Sequence, residues 1–304
     1  MLFQKKKIGE APELNPQKTK KTKTGKEVSQ PQYYRSMTGI ETLNYNVYIL
    51  SRTERILYNI LAFAIGAGVG YLFFGGIGKD RFGDPTVITY AINTFVMVLG
   101  GIVAAKLYLP VRNEQLRVGR QKKLKSQFRD MLEAVTTSLS AGHNIRESFF
   151  AVYDDMRAQY DDSAYIIQEL YVIRSGLNNN ATIEELLNDF GTRSGCEDIA
   201  DFANVFDICN QRGGNPRDII RNTYEILSDK MEIAEEIETV VTGSKSEQYL
   251  MLVMPVLLIG MIKVSSPDFA ANFVTLTGIL STLAALALFV VSYFIGRKVL
   301  DIKV

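Results

Sequence analysis

The chain has 304 residues, with 34 Lys and Arg against 33 Asp and Glu, one His and two Cys. These counts exclude a uniformly basic nucleic-acid binder, a disulfide-stapled secreted scaffold and a metal centre built from several histidines. The near-zero balance hides a segregation of charge along the chain, and the 47% of hydrophobic residues are gathered into long uncharged runs.

Residues 1–50 open with Lys5 to Lys7 and continue through Lys18, Lys20, Lys21, Lys23 and Lys26, among Gln, Thr, Pro and Glu. So few apolar side chains predict a disordered basic tail, either lying on an anionic leaflet or simply solvated. No apolar stretch precedes residue 56, so no secretory leader is expected. Ile56 to Gly78, Pro85 to Ala105 and Phe269 to Gly296 then contain no Asp, Glu, Lys or Arg, and each exceeds the roughly 20 residues a helix needs to cross the hydrocarbon core. Tyr249 to Ile262 is shorter and ends at Lys263, whose snorkelling would extend a span through Ser266. Parity favours the fourth crossing, because three would strand Arg297, Lys298 and Lys303 outside, against the positive-inside rule. The spans are expected as one pair within 56–109 (about 56–78 and 85–108) and a second within 249–296 (about 249–266 and 270–296). Residues 297–304 form a cytoplasmic C-terminal tail.

Residues 1–55 hold 11 bases against 5 acids and residues 110–129 hold 7 against Glu114 alone, which places both flanks of the first pair in the cytoplasm. The connection carrying Lys79, Asp80, Arg81 and Asp84 is neutral and short, so little protrudes on the far side. Residues 130–246 hold 22 acids against 9 bases, a net of −13. Such a block is repelled by an anionic bilayer and by nucleic acid and attracts a basic protein.

The cytoplasmic block, 110–248, reads as a helical bundle. Phe128, Met131, Leu132, Val135 and Leu139 recur at helical spacing before a stop at Gly142. Asn144 with Glu147, and Thr182 with Glu185, make capping boxes. Asp161 and Asp162 mark one break and Gly176 to Asn180 another. A helix from about Glu197 to Gln211 carries Ile199, Phe202, Ala203 and Phe206 and stops at Gly213 and Gly214. Asn215-Pro216 opens a long helix whose stripe of Ile220, Tyr224, Leu227, Met231, Ala234 and Val241 leads toward the third span. Pro255 is expected to kink that span. Cys196 and Cys209 share one helix about 20 Å apart, too far for a disulfide.

No phosphate-binding loop is present, so nucleotide hydrolysis is not expected of this chain, and no catalytic, cofactor or metal site is predicted. His143, the single histidine, reads as a residue of a helix connection. Asp154, Asp155, Asp161 and Asp162 lack the spacing of a calcium loop. The spans hold none of the charges that mark transport paths, with Asn93 and Thr94 the main polar residues of the second. Gly66 and Gly70 form a G-x-x-x-G suited to close packing or dimerisation.

Residues Phe128-Arg-Asp-Met-Leu-Glu-Ala-Val-Thr-Thr-Ser-Leu-Ser-Ala-Gly-His-Asn-Ile-Arg-Glu-Ser-Phe149, with Asp201 to Asn215, Pro255, Thr277-Gly278 and Gly296 to Val304, resemble the F-domain family of type II secretion systems. Within it, the pattern is similar to the TadB/TadC-like platform proteins of tight-adherence (Flp, type IVc) pili. The resemblance covers about 110–304, with one F domain where general secretion platforms carry two; the lysine-rich tail has no counterpart in it. It implies an all-α integral membrane protein of the inner membrane, with two pairs of transmembrane helices flanking a cytoplasmic helical bundle and both termini cytoplasmic. It also implies a platform that couples a cytoplasmic secretion ATPase to pilin extraction.

The expected partners are that ATPase, a second TadB/TadC-like membrane protein, pilin subunits and the lipid bilayer, in a homo- or hetero-oligomer and without nucleic acid. Glu232, Glu235 and Glu236 are the expected ATPase-docking surface, Gly142, Gly213 and Gly214 the helix turns of the F domain, and Pro255 the membrane-helix kink. A membrane-anchored scaffold or signalling protein, or a transporter, are the competing classes.

Overall fold

The computed structural model describes residues 31–77, 86–266 and 271–300. Among these the chain is mostly helical, with four helices long and apolar enough to cross a membrane. The elements are β1 (Tyr33–Arg35), β2 (Glu41–Leu43), α1 (Arg52–Phe74), α2 (Val87–Ser140), α3 (Ile145–Gln159), α4 (Tyr165–Asn178), α5 (Ile183–Ser194), α6 (Glu197–Gln211), α7 (Pro216–Ser265) and α8 (Leu276–Leu300).

The apolar windows of α1, α2, α7 and α8 have at most 17% of their residues buried, so their side chains face outward as lipid-facing helices do. Where α1 meets α2 the packing is close. A Cβ on Gly66 would lie 2.5 Å from the Gly100 carbonyl oxygen and the Ala104 methyl, and one on Gly70 would lie 3.1 Å from the Val96 carbonyl. Contacts at 66 with 100 and 70 with 96 require antiparallel helices, and the G-x-x-x-G is thereby occupied within the chain. The Asn93 amide oxygen accepts from Gly76 N–H at 3.0 Å and ties the end of α1 to α2. The Lys263 ammonium donates to the Leu72 and Phe73 carbonyls in the last turn of α1 at 2.6 and 3.3 Å and lies 4.7 Å from the Phe273 ring centre. It thereby neutralises carbonyls left without helical partners at that helix end, and α7 continues past it to Ser265.

The core lies away from these windows. Leu124, Phe128, Met131, Leu132 and Val135 of α2 run through it, surrounded by Phe149 and Met156 of α3, Ile166 and Leu170 of α4, Phe190 of α5, Phe202 and Phe206 of α6 and Ile220 and Leu227 of α7. Phe128 meets Phe190 and Phe202 edge-on, with centroids 6.0 and 5.4 Å apart. Because α2 and α7 each contribute to this core and each contain an apolar window, both pass unbroken from one region to the other.

Three expectations are corrected. The disorder predicted for residues 1–50 fails from residue 31 onward, residues 1–30 lying outside the described part. Antiparallel β1 and β2 pair Tyr33 with Leu43 and Arg35 with Glu41, and Tyr45 is fully buried behind them. This short stretch holds enough apolar surface, in Leu43 and Tyr45, to join the core. Second, α2 continues through Pro110, where the sequence marks a boundary; proline costs one backbone hydrogen bond, and the helix is held on both sides of it. Third, Gly176 lies inside α4, where Leu186 covers it, and the turn falls at Asn179 and Asn180, the latter at φ +61°. The 79–84 connection, Asp268 and residues 301–304 lie outside the described residues.

Candidate docking surface

The length of α7 places the three selected carboxylates on an exposed part of one rod. Glu232, Glu235 and Glu236 are all exposed, and none forms an ion pair with another described residue. Spacing of three and four residues spreads them around the outward half of the helix. Their neighbour Glu238 points the other way and pairs with Lys122 of α2. That pair holds its carboxyl below the usual range.

A second contact fixes α6 between α2 and α7. Asp198 accepts from Lys125 and from Lys230, both at 2.7 Å. Burial pushes the Asp198 carboxyl up, but the two ammonium groups outweigh it and hold the group below its ordinary value.

Gly142 and Gly213 stand at φ +97° and +71°, in the left-handed region that ends helices α2 and α6 with least strain at glycine. A Cβ on Gly214 would press on the Cys209 sulfur at 2.6 Å. The Arg217 guanidinium donates to the Leu139 carbonyl at 2.5 Å, which brings the Gly142 and Gly213–Gly214 turns to one end of the helical region. These glycines therefore shape the frame, about 30 Å along the helices from the acidic stretch of α7. Pro255 lies another 19 residues beyond Glu236 inside the uninterrupted helix. The selected residues thus form no single cluster.

Sequence reasoning missed the polar network at the centre. Glu169 accepts from Arg193 through both oxygens, at 2.7 and 2.6 Å, and from the Tyr45 hydroxyl at 2.9 Å. Arg193 also donates to Asp189 at 2.8 Å. Both side chains of the Glu169–Arg193 pair are at most 2% exposed. Burial drives the Glu169 carboxyl upward and the Tyr45 hydroxyl well above its ordinary value. The only warning in the sequence is an acid on the otherwise apolar face Ile166-Leu170-Ile173 and an Arg beside Phe190.

The segment after β2 is tied to the same place. Tyr45 N–H donates to the Arg193 carbonyl at 3.0 Å, Asn46 to the Thr192 carbonyl at 3.3 Å, and Gln121 to the carbonyls of Tyr45 and Gly195. Arg120 stacks over Tyr48, 4.4 Å from its ring centre.

The other candidates resolve locally. Asp154 pairs with Arg174 and Asp162 with Arg157, while Asp161 accepts from Ser163 N–H. Among the described residues no group of three or more His, Cys, Asp or Glu is disposed to hold a metal. His143 is exposed in the α2–α3 turn, 3.9 Å from Glu147. Both cysteines are free, and burial pushes the Cys196 thiol up to about 11.

Comparison with known protein families, curated proteins and solved structures finds no match to this chain.

Proposed function

We propose that this protein is an inner-membrane platform of a Tad/Flp (type IVc) pilus or type II secretion-like system. In this reading its four apolar helices cross the membrane as two pairs flanking a cytoplasmic helical bundle, with both ends cytoplasmic. The acidic bundle docks a secretion ATPase and passes its motion to the spans, where pilin is extracted beside a second, similar membrane protein. One observation carries the reading: α2 and α7, of 54 and 50 residues, each belong to the acidic domain and to an apolar window without interruption. At 1.5 Å per residue these are rods of about 81 and 75 Å. A displacement applied to the domain is then delivered to the bilayer along continuous helices, each with one interior proline, Pro110 in α2 and Pro255 in α7. The absence of a phosphate-binding loop in the sequence fits a chain moved by another motor.

The test is purification of the full chain from native membranes in mild detergent, with partners identified by mass spectrometry. Recovery of a secretion ATPase and a second platform-like protein is expected. Glu232→Lys, Glu235→Lys and Glu236→Lys together should reduce ATPase recovery while leaving the helical content unchanged. Intact protein in good yield with neither partner would overturn the proposal and favour a scaffold role.

A further inference from the structure

Between residues 124 and 245, where every residue is described, the exposed large apolar side chains are Tyr171, Val205, Ile208, Ile226, Ile233 and Val240. All but Tyr171 lie on α6 and α7. Isolated exposed hydrophobes need no explanation, but these are not scattered. Val205 and Ile208 follow Asp201 at helical spacing on the outer face of α6. Ile226, Ile233 and Val240 stand seven residues apart on α7, and the half-buried Ile219 continues the series by one more step. A seven-residue repeat drifts only about 20° per step around a helix, so the four form one ridge, with about 21 Å from Ile226 to Val240.

About half or more of each side chain is left open among the described residues: Val205 is 46% exposed, Ile226 57%, Ile233 52% and Val240 76%. At the upper end the ridge meets α6 across a groove of about 270 Å³, whose floor is Phe202 and Leu227 and whose walls include Val205, Ile219 and Ile226. The adjoining face of α7, with Ile220, Leu227 and Val241, is the one buried in the protein.

The charges beside the ridge select what covers it. Residues 197–240 hold 11 acids against 4 bases. Asp229 and Glu236 flank the ridge directly and Asp201 stands at the groove, all exposed. The one lysine there, Lys230, is engaged with Asp198. A bilayer with anionic lipids would be repelled. A second copy of the same surface would oppose its own carboxylates. The basic stretch of α2 in another copy is also a poor match, because Arg117, Lys122, Lys125 and Arg129 are bound to Glu114, Glu238, Asp198 and Asp130, Arg112 and Arg120 stack on Tyr58 and Tyr48, and of its seven cations Lys123 alone stands exposed without an ion pair among the described residues.

We propose that the α6–α7 groove and the Ile226–Ile233–Val240 ridge seat a basic amphipathic helix of another protein. About four turns of that helix would lie along α7 in a two-helix seam, with apolar residues at the seven-residue repeat meeting the ridge. Its Lys and Arg would reach Asp201, Asp229 and Glu236. The inference does not require the partner to be an ATPase, and it fails or stands on the chemistry of the bound segment.

The experiment places the photo-crosslinking residue p-benzoylphenylalanine singly at Ile226, Ile233 and Val240 of the full chain in its native membranes, with Tyr171 on α4 as the control. The crosslinked peptides are sequenced by mass spectrometry. Adducts from all three ridge positions, and not from Tyr171, to one segment with a helical apolar stripe flanked by Lys or Arg are expected. Asp201→Lys, Asp229→Lys and Glu236→Lys together should lower their yield roughly fivefold or more. Adducts to a second copy of this chain, to lipid or to a segment without cations would overturn the proposal, as would no adduct at any ridge position. An adduct of the expected chemistry from a protein that is not an ATPase would keep this inference while removing the motor from the platform reading.

Discussion

Replacing Tyr45 with Phe removes one hydroxyl from the buried network and keeps the ring that fills the core. The lost bond is a 2.9 Å donation to the Glu169 carboxylate, whose same oxygen still accepts from Arg193 at 2.7 Å. The carboxylate is therefore weakened but not orphaned, and the cost is set by one hydrogen bond to a charged group, about 2 kcal/mol. The same change loosens the segment that covers the α5–α6 joint, where Tyr45 N–H meets Arg193 and Gln121 bridges Tyr45 to Gly195. Cys196 sits directly at that joint and is buried, so a maleimide gains full access to it when the joint opens. Maleimide labelling of Cys196 at pH 8 in the full chain, carrying Cys209→Ser and reconstituted in nanodiscs, reads the opening equilibrium. A cost of about 2 kcal/mol corresponds to labelling about 30-fold faster. Tyr171→Phe, altering an exposed tyrosine, should leave the rate unchanged. A Tyr45→Phe rate within about threefold of the parent, or about 0.7 kcal/mol, would refute the view that the network pins this segment.

The remaining expectations concern other joints. Arg193→Met leaves Glu169 buried without its partner and should cost about 3–5 kcal/mol, whereas Glu169→Leu with Arg193→Met should be far less damaging than either change suggests; thermal unfolding of the four proteins gives the coupling. Asp198 has a folded pKa held below its unfolded value near 3.9, so its contribution is complete above that value and is lost as the pH falls through the lower folded value. The stability of the parent should therefore fall more steeply with falling pH than that of Asp198→Asn, which lacks the contribution at neutral pH and should unfold at the same or a higher pH in acid titrations followed by circular dichroism; identical limbs would mean that Lys125 and Lys230 do not stabilise the charged form. In the spans, Gly66→Val drives a side chain into Gly100 and Ala104 and should cost about 1–3 kcal/mol, while Gly68→Ala, where nothing lies within 4 Å, should be neutral in the same nanodisc melting experiment.

Local grammar carried much of the fold into the sequence. The boxes at Asn144 with Glu147 and at Thr182 with Glu185 start α3 and α5, and Asn215-Pro216 starts α7. Such signals involve residues three or four apart, whose geometry is fixed once a helix forms. The hairpin and the Glu169–Arg193 pair were not legible, because each depends on partners that only tertiary packing brings together. Tyr45 and Glu169 are 124 residues apart and nothing in either neighbourhood names the other. At the 109/110 boundary the composition changes while the helix does not, since α2 runs on through Pro110. For the candidate surface, the acidity of α7 was visible from composition, whereas the exposed ridge was not. Periodicity marks Ile226 and Ile233 as apolar positions, and only the packing shows that the protein turns the Ile220–Leu227 side inward and leaves theirs outside.

The distribution of ion pairs separates charges that hold the fold from charges that do not. Carboxylates facing inward or toward α2 are engaged: Glu169 and Asp189 with Arg193, Asp198 with Lys125 and Lys230, Glu238 with Lys122. Glu232, Glu235 and Glu236 form no ion pair with another described residue, and Glu232 stands three and four residues from the other two on the same helix. Like charges at those spacings repel by a few tenths of a kcal/mol per pair, so this stretch of α7 is less stable as a helix than a neutral one would be. Beside it run Ile226, Ile233 and Val240, each with more than half of its surface open among the described residues. Two kinds of side chain that each lower the stability or solubility of an isolated domain share one face, and a partner that is both apolar and basic would turn both into gains.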